Sequence, residues 1–169
     1  MTVLETPRLL LQEAEVSDTP FFFELLNSPN WLEFIGDRGI RELSDAENYV
    51  TNSLIKSYRE LGFGLYKMVL KDIQIPIGIC GLLQRDYLNH PDIGFAVLPE
   101  YERQGYTYEA AKATLEYAQS RLELHTIYAI TSPHHTASQR LLGKIGMNHI
   151  QTIRPEKEEL FLFSIESHR

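Results

Sequence analysis

The chain has 169 residues, a formal net charge of -7, 43% hydrophobic and 23% charged residues. That is ordinary globular composition: it excludes intrinsic disorder and suits one domain burying roughly 70% of its unfolded surface. The longest apolar stretch, Ile75 to Leu83, spans nine residues and contains Pro76 and two glycines. A spanning helix needs about 20, so no membrane segment is expected. Met1 to Pro7 has neither a basic n-region nor an apolar h-region, so no signal peptide is expected. Cys80 is the only cysteine, which excludes an intramolecular disulfide and makes the cytoplasm the expected compartment. No run of basic residues suggests a nucleic-acid partner. The acidic balance suits a cationic or amine-bearing one.

Taken in chain order, Arg8 to Ala14 reads as a strand, apolar at Leu9, Leu10 and Leu11. Ser17 or Asp18 then caps a short helix with Pro20 in its first turn, and Asn27-Ser28-Pro29 ends it. Ser44-Asp45-Ala46-Glu47 has the form of a capping box. Val50, Leu54, Tyr58 and Leu61 follow at helical spacing, and Gly62 stops that helix. Phe63–Leu70, Ile77–Gln84 and Ile93–Leu98 read as strands, and their short connections make them antiparallel neighbours. After Gly105 the period becomes helical through Ala111, Leu115, Ala118 and Leu122. Thr126–Thr131 is a short strand, and Ser132-Pro133 opens a helix closed by Gly146. Met147–Ile153 and Leu160–Ile165 read as a closing strand pair. The fold class is α+β or mixed α/β around one sheet.

The chemistry concentrates where strand Ile93–Leu98 ends at Pro99 and a polar loop with Gly105 leads into a helix. The first helical turn offers unpaired N–H groups and the positive end of the dipole, a place to hold a diphosphate. Gly105 lets the backbone approach phosphates, and Arg103 adds charge. The loop matches neither G-x-x-x-x-G-K-[ST] nor G-x-G-x-x-G, which disfavours a triphosphatase or a dinucleotide enzyme. Asp92 reads either as a proton acceptor or as a strand-entry turn residue. His134 and His135 read as base, diphosphate contact or helix cap. Cys80 reads as core. No histidine, cysteine and carboxylate cluster has zinc spacing, so no metal is expected.

The Pro99 to Ala110 segment resembles the coenzyme motif of the Gcn5-related N-acetyltransferases: strand, proline, Arg/Gln-x-x-Gly-x-Gly/Ala, helix. Gly105-Tyr106-Thr107-Tyr108-Glu109-Ala110 is similar to the Gly-Tyr-Ala-Thr-Glu-Ala of the branch that acetylates ribosomal-protein N-termini. Thr6-Pro7-Arg8-Leu9 is also typical of that branch. A second segment, His135 to Met147, resembles the family's Asn-x-x-Ser followed by Lys-Leu-Gly-Phe. Ser138, Lys144, Gly146 and Met147 fit, and His135 replaces the asparagine. Three loop positions depart: Glu102 stands for Arg/Gln, Arg103 for Gly, and Thr107 for Gly/Ala. Glu102 is accordingly expected to face solvent, with Arg103 compensating.

The resemblance covers residues 7–167 as one N-acetyltransferase domain. It implies a central, mostly antiparallel six- to seven-stranded sheet, flanked by helices, with one splayed strand pair. It further implies acetyl-CoA as co-substrate, a primary amine as acceptor and no metal. Candidate amines are a protein N-terminus, a polyamine or an aminoglycoside-like small molecule, and a homodimer is compatible. A family bulge would splay the strand before the loop. Ala96 or Phe95 would then face the acetyl oxygen, and Val97 would pair with the pantetheine. Arg103, Gln104, Gly105, Tyr106, Thr107, Tyr108 and His135 would bind the coenzyme. Ser138 would protonate the departing thiolate, and Asp92 would draw the proton from the amine. Trp31, Glu33 and Asp37 fall where the family builds its acceptor cleft, Trp31 itself reading as core. The alternative is an acyl-CoA-binding module of the same fold without turnover. A plain α+β interaction domain is the third reading.

Overall fold

A computed structural model describes residues 1–167. Eight strands form one sheet in the order β1-β2-β3-β4-β5-β6-β8-β7. They are β1 (Thr2–Glu5), β2 (Leu9–Gln12), β3 (Leu65–Leu70), β4 (Pro76–Leu83), β5 (Asp92–Val97), β6 (Thr126–Thr131), β7 (Asn148–Ile153) and β8 (Leu160–Glu166). The helices are α1 (Thr19–Leu26), α2 (Leu43–Tyr49), α3 (Lys56–Leu61), α4 (Tyr106–Ser120) and α5 (Thr136–Lys144). Adjacent strands pair antiparallel except β5 and β6, which are parallel.

Period-2 alternation sends successive side chains to opposite faces. Leu9, Leu11, Met68 and Cys80 bury against Ala110, Ala111, Leu115 and Ala118 of α4 and Leu142 of α5. Leu65 and Ile79 bury on the other face, against Phe22, Leu25 and Leu26 of α1 and against Val50 and Leu54. The sheet is therefore sandwiched between two helical layers, each with its own core. Close packing fixes β4 at its centre: a Cβ on Gly78 would lie 2.3 Å from the Ala96 carbonyl oxygen.

Four boundaries differ from the sequence reading. The sheet has eight strands, because Thr2–Glu5 pairs with β2; four residues at a sheet edge carry too little alternation to be recognised. The second helix starts at Leu43, before the expected Ser44-to-Glu47 box. The Asp45 carboxylate accepts N–H bonds from Arg41 at 2.9 Å and Glu42 at 3.0 Å, so it, not Glu47, satisfies the free donors. A π-helical turn at Val50–Ile55 joins α2 to α3. Its wider turn rotates the following face, so Leu61 is exposed whereas Val50 and Leu54 are buried. Finally, α5 starts at Thr136, since Ser132-Pro133 forms a turn closed by the His135 N–H on the Ser132 carbonyl at 3.0 Å. Among the described residues no helix is long and apolar enough to cross a membrane.

Candidate active site

The site begins where the sheet parts. β5 pairs with β4 in unbroken register from Leu83↔Asp92 to Gly78↔Val97, so the expected bulge is absent. The splay arises on the other side. β6 meets β5 at the single pair Asp92↔Tyr128, where the Tyr128 N–H donates to the Pro91 carbonyl at 2.9 Å; beyond it the strands diverge. The Leu98 N–H donates to Ile77 on β4 at 2.8 Å. Backbone direction alternates along an antiparallel ladder, so the Ala96 amide also faces β4, and those of Phe95 and Val97 face the gap. This corrects Ala96: it lines the cavity, but its N–H is turned to the neighbouring strand and cannot meet an acetyl oxygen.

The gap opens into a cavity of about 460 Å³ that reaches the loop before α4. A 3₁₀ turn at Pro99–Tyr101 leaves the strand, and two left-handed residues, Arg103 at φ +62° and Gly105 at φ +82°, reverse the chain. The Glu109 N–H is the first to bond back, to the Gly105 carbonyl at 3.0 Å. The amides of Tyr106, Thr107 and Tyr108 precede it and find no helical acceptor. Arg103, Gly105, Tyr106, Thr107 and Tyr108 all line the cavity. Gln104 does not; its side-chain amide donates to the Glu100 carbonyl at 3.1 Å and its own carbonyl accepts from Arg8 at 3.0 Å. Glu102, expected in solvent, is half-buried in the cavity wall and accepts from the Asn30 amide.

A second wall comes from the π-helical turn Trp31–Ile35 and the start of α5. The His135 ring stacks on Phe34 with centroids 3.8 Å apart and planes 8° from parallel. Burial holds the His135 ring below the ordinary histidine range, against the raising effect of Glu33. Ser138 is 8% exposed and lines the cavity. Among the described residues its hydroxyl makes no hydrogen bond, so neither a cap nor a bond one turn back occupies it. Trp31 is buried and lines the cavity, and its indole N–H has no partner among the described residues.

Residues 8–148 match the family description "Acetyltransferase (GNAT) domain". The chain belongs to the GNAT acetyltransferases. It is 29% identical over 144 residues to the uncharacterised N-acetyltransferase YnaD of Bacillus subtilis strain 168, covering 85% of this chain and 81% of that one. A GNAT-family acetyltransferase structure from Bacillus anthracis is 26% identical, has a TM-score of 0.81 and covers 98% of each chain. A ribosomal L7/L12 α-N-protein acetyltransferase, RimL, solved with coenzyme A, shares the fold at TM-score 0.84 and 13% identity over 98% of each chain.

Within this GNAT fold the remaining expected residues separate by burial. Asp92 has no exposure and does not line the cavity; Arg85 Nε holds both its carboxylate oxygens at 3.1–3.2 Å. Burial pushes its pKa up to about 6 despite Arg85. That value would suit a base, but a base must first reach its proton, and Asp92 is sealed at the fork of β5 and β6. Asp37 is an exposed surface residue paired with Arg41, which holds its carboxyl down at about 2. The fully buried Cys80 thiol is pushed up to about 12 by burial, against a hydrogen bond with Thr114, so no thiolate nucleophile is available there.

Sequence reasoning missed Asn30, Phe34 and Tyr101 in the lining. Two aromatic residues three apart in the aperiodic segment Trp31-Leu32-Glu33-Phe34 are the signal that could have found the second wall. It also missed what Thr6-Pro7-Arg8 does. The Glu109 carboxylate accepts from the Thr6 hydroxyl at 2.5 Å and from the Arg8 amide and Nε at 2.9 and 2.8 Å. Arg8 also lies 4.3 Å from the Tyr106 ring centroid, so this segment fastens the loop and α4 to the sheet. A second cavity of about 550 Å³ beside β7 and β8 has, among the described residues, Glu166 as its one charged lining residue.

Proposed function

We propose that this chain transfers an acetyl group from acetyl-CoA to a primary amine by direct attack on the thioester. The observation that carries this reading is the free edge of β5 leading straight into the unpaired amides of α4. A strand edge in a gap accepts an extended, amide-bearing arm as an added strand, and a helix N-terminus holds the anionic end. Val97 would pair with the pantetheine. The amides of Tyr106, Thr107 and Tyr108, with Gly105 admitting close approach and Arg103 adding charge, would hold the diphosphate. The Phe95 N–H is aimed at the thioester oxygen, where negative charge develops as the amine attacks. The free hydroxyl of Ser138 supplies a proton to the departing sulfur; a thiol of ordinary pKa about 8.5 needs only a weak donor. The acceptor is a protein N-terminus, a polyamine or a small amine, in keeping with the acidic chain.

Thiol release from acetyl-CoA across a panel of such amines tests the reaction. Heating the protein with coenzyme A tests the site, since ligand at 100 times its Kd adds about 2.7 kcal/mol of stability. Stabilisation without thiol release would favour the acyl-CoA-binding module. Neither effect would overturn both readings.

A further inference from the structure

We propose that His135 is the general base that takes the proton from the attacking amine, an inference that rests on the acetyltransferase reading above. His135 lines the cavity at the N-cap of α5, one turn before Ser138. Both residues line the same cavity, so base and thiol donor open on one gap. The parallel stack on Phe34 covers one face of the imidazole and fixes its plane, leaving the ring edge and both nitrogens free. Among the described residues neither nitrogen is engaged in a hydrogen bond. A neutral imidazole so held keeps an unshared lone pair at the cavity. Phe34 belongs to the Trp31–Ile35 turn, so the ring stands on the wall not used by the α4 amides, where an amine can approach.

The competing groups are engaged or misplaced. Asp92 is sealed by Arg85, and Glu102 accepts from Asn30. His134 lines the cavity but is exposed. Glu33 of the Trp31–Ile35 turn is the charged group that acts on the ring; Tyr101, Glu102, Arg103, Tyr106, Tyr108 and His134 are the other titratable or charged residues lining the cavity among the described residues. Burial outweighs the raising effect of Glu33 and favours the neutral ring. The step balances. The amine nitrogen bonds the acetyl carbon, the carbon–sulfur bond breaks, and the amine proton passes to His135 and on to water. Ser138 protonates the sulfur and is reprotonated from water.

The test is kcat/KM between pH 5 and 9 with two acceptor amines of different pKa. The parent should show one acid limb common to both amines, with its midpoint below the ordinary histidine value of 6.5. His135→Asn keeps a good N-cap residue. It should lower kcat by about 100-fold or more and erase that limb, while the Kd for coenzyme A stays within about twofold by calorimetry. A kcat within threefold and an intact limb would overturn the proposal. So would a limb that vanishes in Asp92→Asn instead, or a tenfold loss of coenzyme A affinity in His135→Asn, which would make His135 a coenzyme ligand. Those three results leave the transferase reading standing; a parent inert toward every amine would remove both.

Discussion

Arg103 sets two demands of the loop against each other. Its φ of +62° is a left-handed conformation that costs an L-residue roughly 1–2 kcal/mol and that glycine adopts freely. The guanidinium is what this chain obtains in exchange. Arg103→Gly should therefore raise stability by up to about 1 kcal/mol, the gain reduced by glycine's freedom in the unfolded chain. It should also raise the KM for acetyl-CoA with little change in kcat, because a diphosphate contact acts equally on ground and transition states. Paired denaturation and steady-state kinetics check both signs; a loss of stability with KM unchanged would deny Arg103 both roles. Ser138 makes the opposite split. Its hydroxyl serves no structural bond among the described residues, so Ser138→Ala should barely change stability but lower turnover by about 10-fold or more, with acetyl-CoA affinity retained. Cys80→Ala should keep turnover within a few-fold, since its thiol is buried and protonated. An acetyl group trapped on Cys80 would refute direct attack.

The loop and α4 act together because the N-terminal segment ties them down. Burial would raise the Glu109 pKa, yet the bonds from Thr6 and Arg8 bring it below its ordinary value, so the carboxylate is charged and held. Arg8 is 45% exposed, so the ion pair itself is worth about 1 kcal/mol or less. Its larger consequence is order in the loop. Arg8→Ala should raise the KM for acetyl-CoA about fivefold, the equivalent of about 1 kcal/mol, and leave kcat nearly unchanged; Arg8→Lys should recover only part, lacking the planar fork. Equal losses in kcat and kcat/KM would show that Arg8 acts on the chemistry instead. This half of the site was legible in the sequence because strand, proline, glycine and helix are contiguous there. The wall of Asn30 and Phe34 was not: Asn30 meets Glu102 across 72 residues, and no local pattern encodes such a contact. The Asp92 reading failed for a related reason. Position at the head of β5 was readable, but its burial with Arg85 depends on how β6 returns to the fork.

At the scale of the whole molecule, the sheet is two antiparallel halves joined at one parallel pair, Asp92↔Tyr128. The gap exists because the halves part just beyond it, so the fork both holds the sheet together and opens the site. A buried ion pair there costs desolvation, and the cost shows in the Asp92 pKa, raised from 3.8 to about 6. A carboxyl raised on folding favours the protonated native state. Its contribution is fully present below pH 3.8 and is lost as pH rises through about 6. The full span corresponds to at most about 3 kcal/mol. Carboxylates whose pKa values are lowered, such as Asp45 and Glu109, pull the parent's stability the other way, so the parent curve alone does not isolate Asp92. Asp92→Asn does, because asparagine does not titrate and the other groups are common to both proteins. The stability of Asp92→Asn relative to the parent should rise by up to about 3 kcal/mol between pH 4 and 7, with most of the rise before pH 6. Urea denaturation at half-unit steps would measure it. A difference that stays flat across that window would mean that Asp92 titrates like an exposed carboxylate, and that Arg85, not burial, sets the charge at the fork.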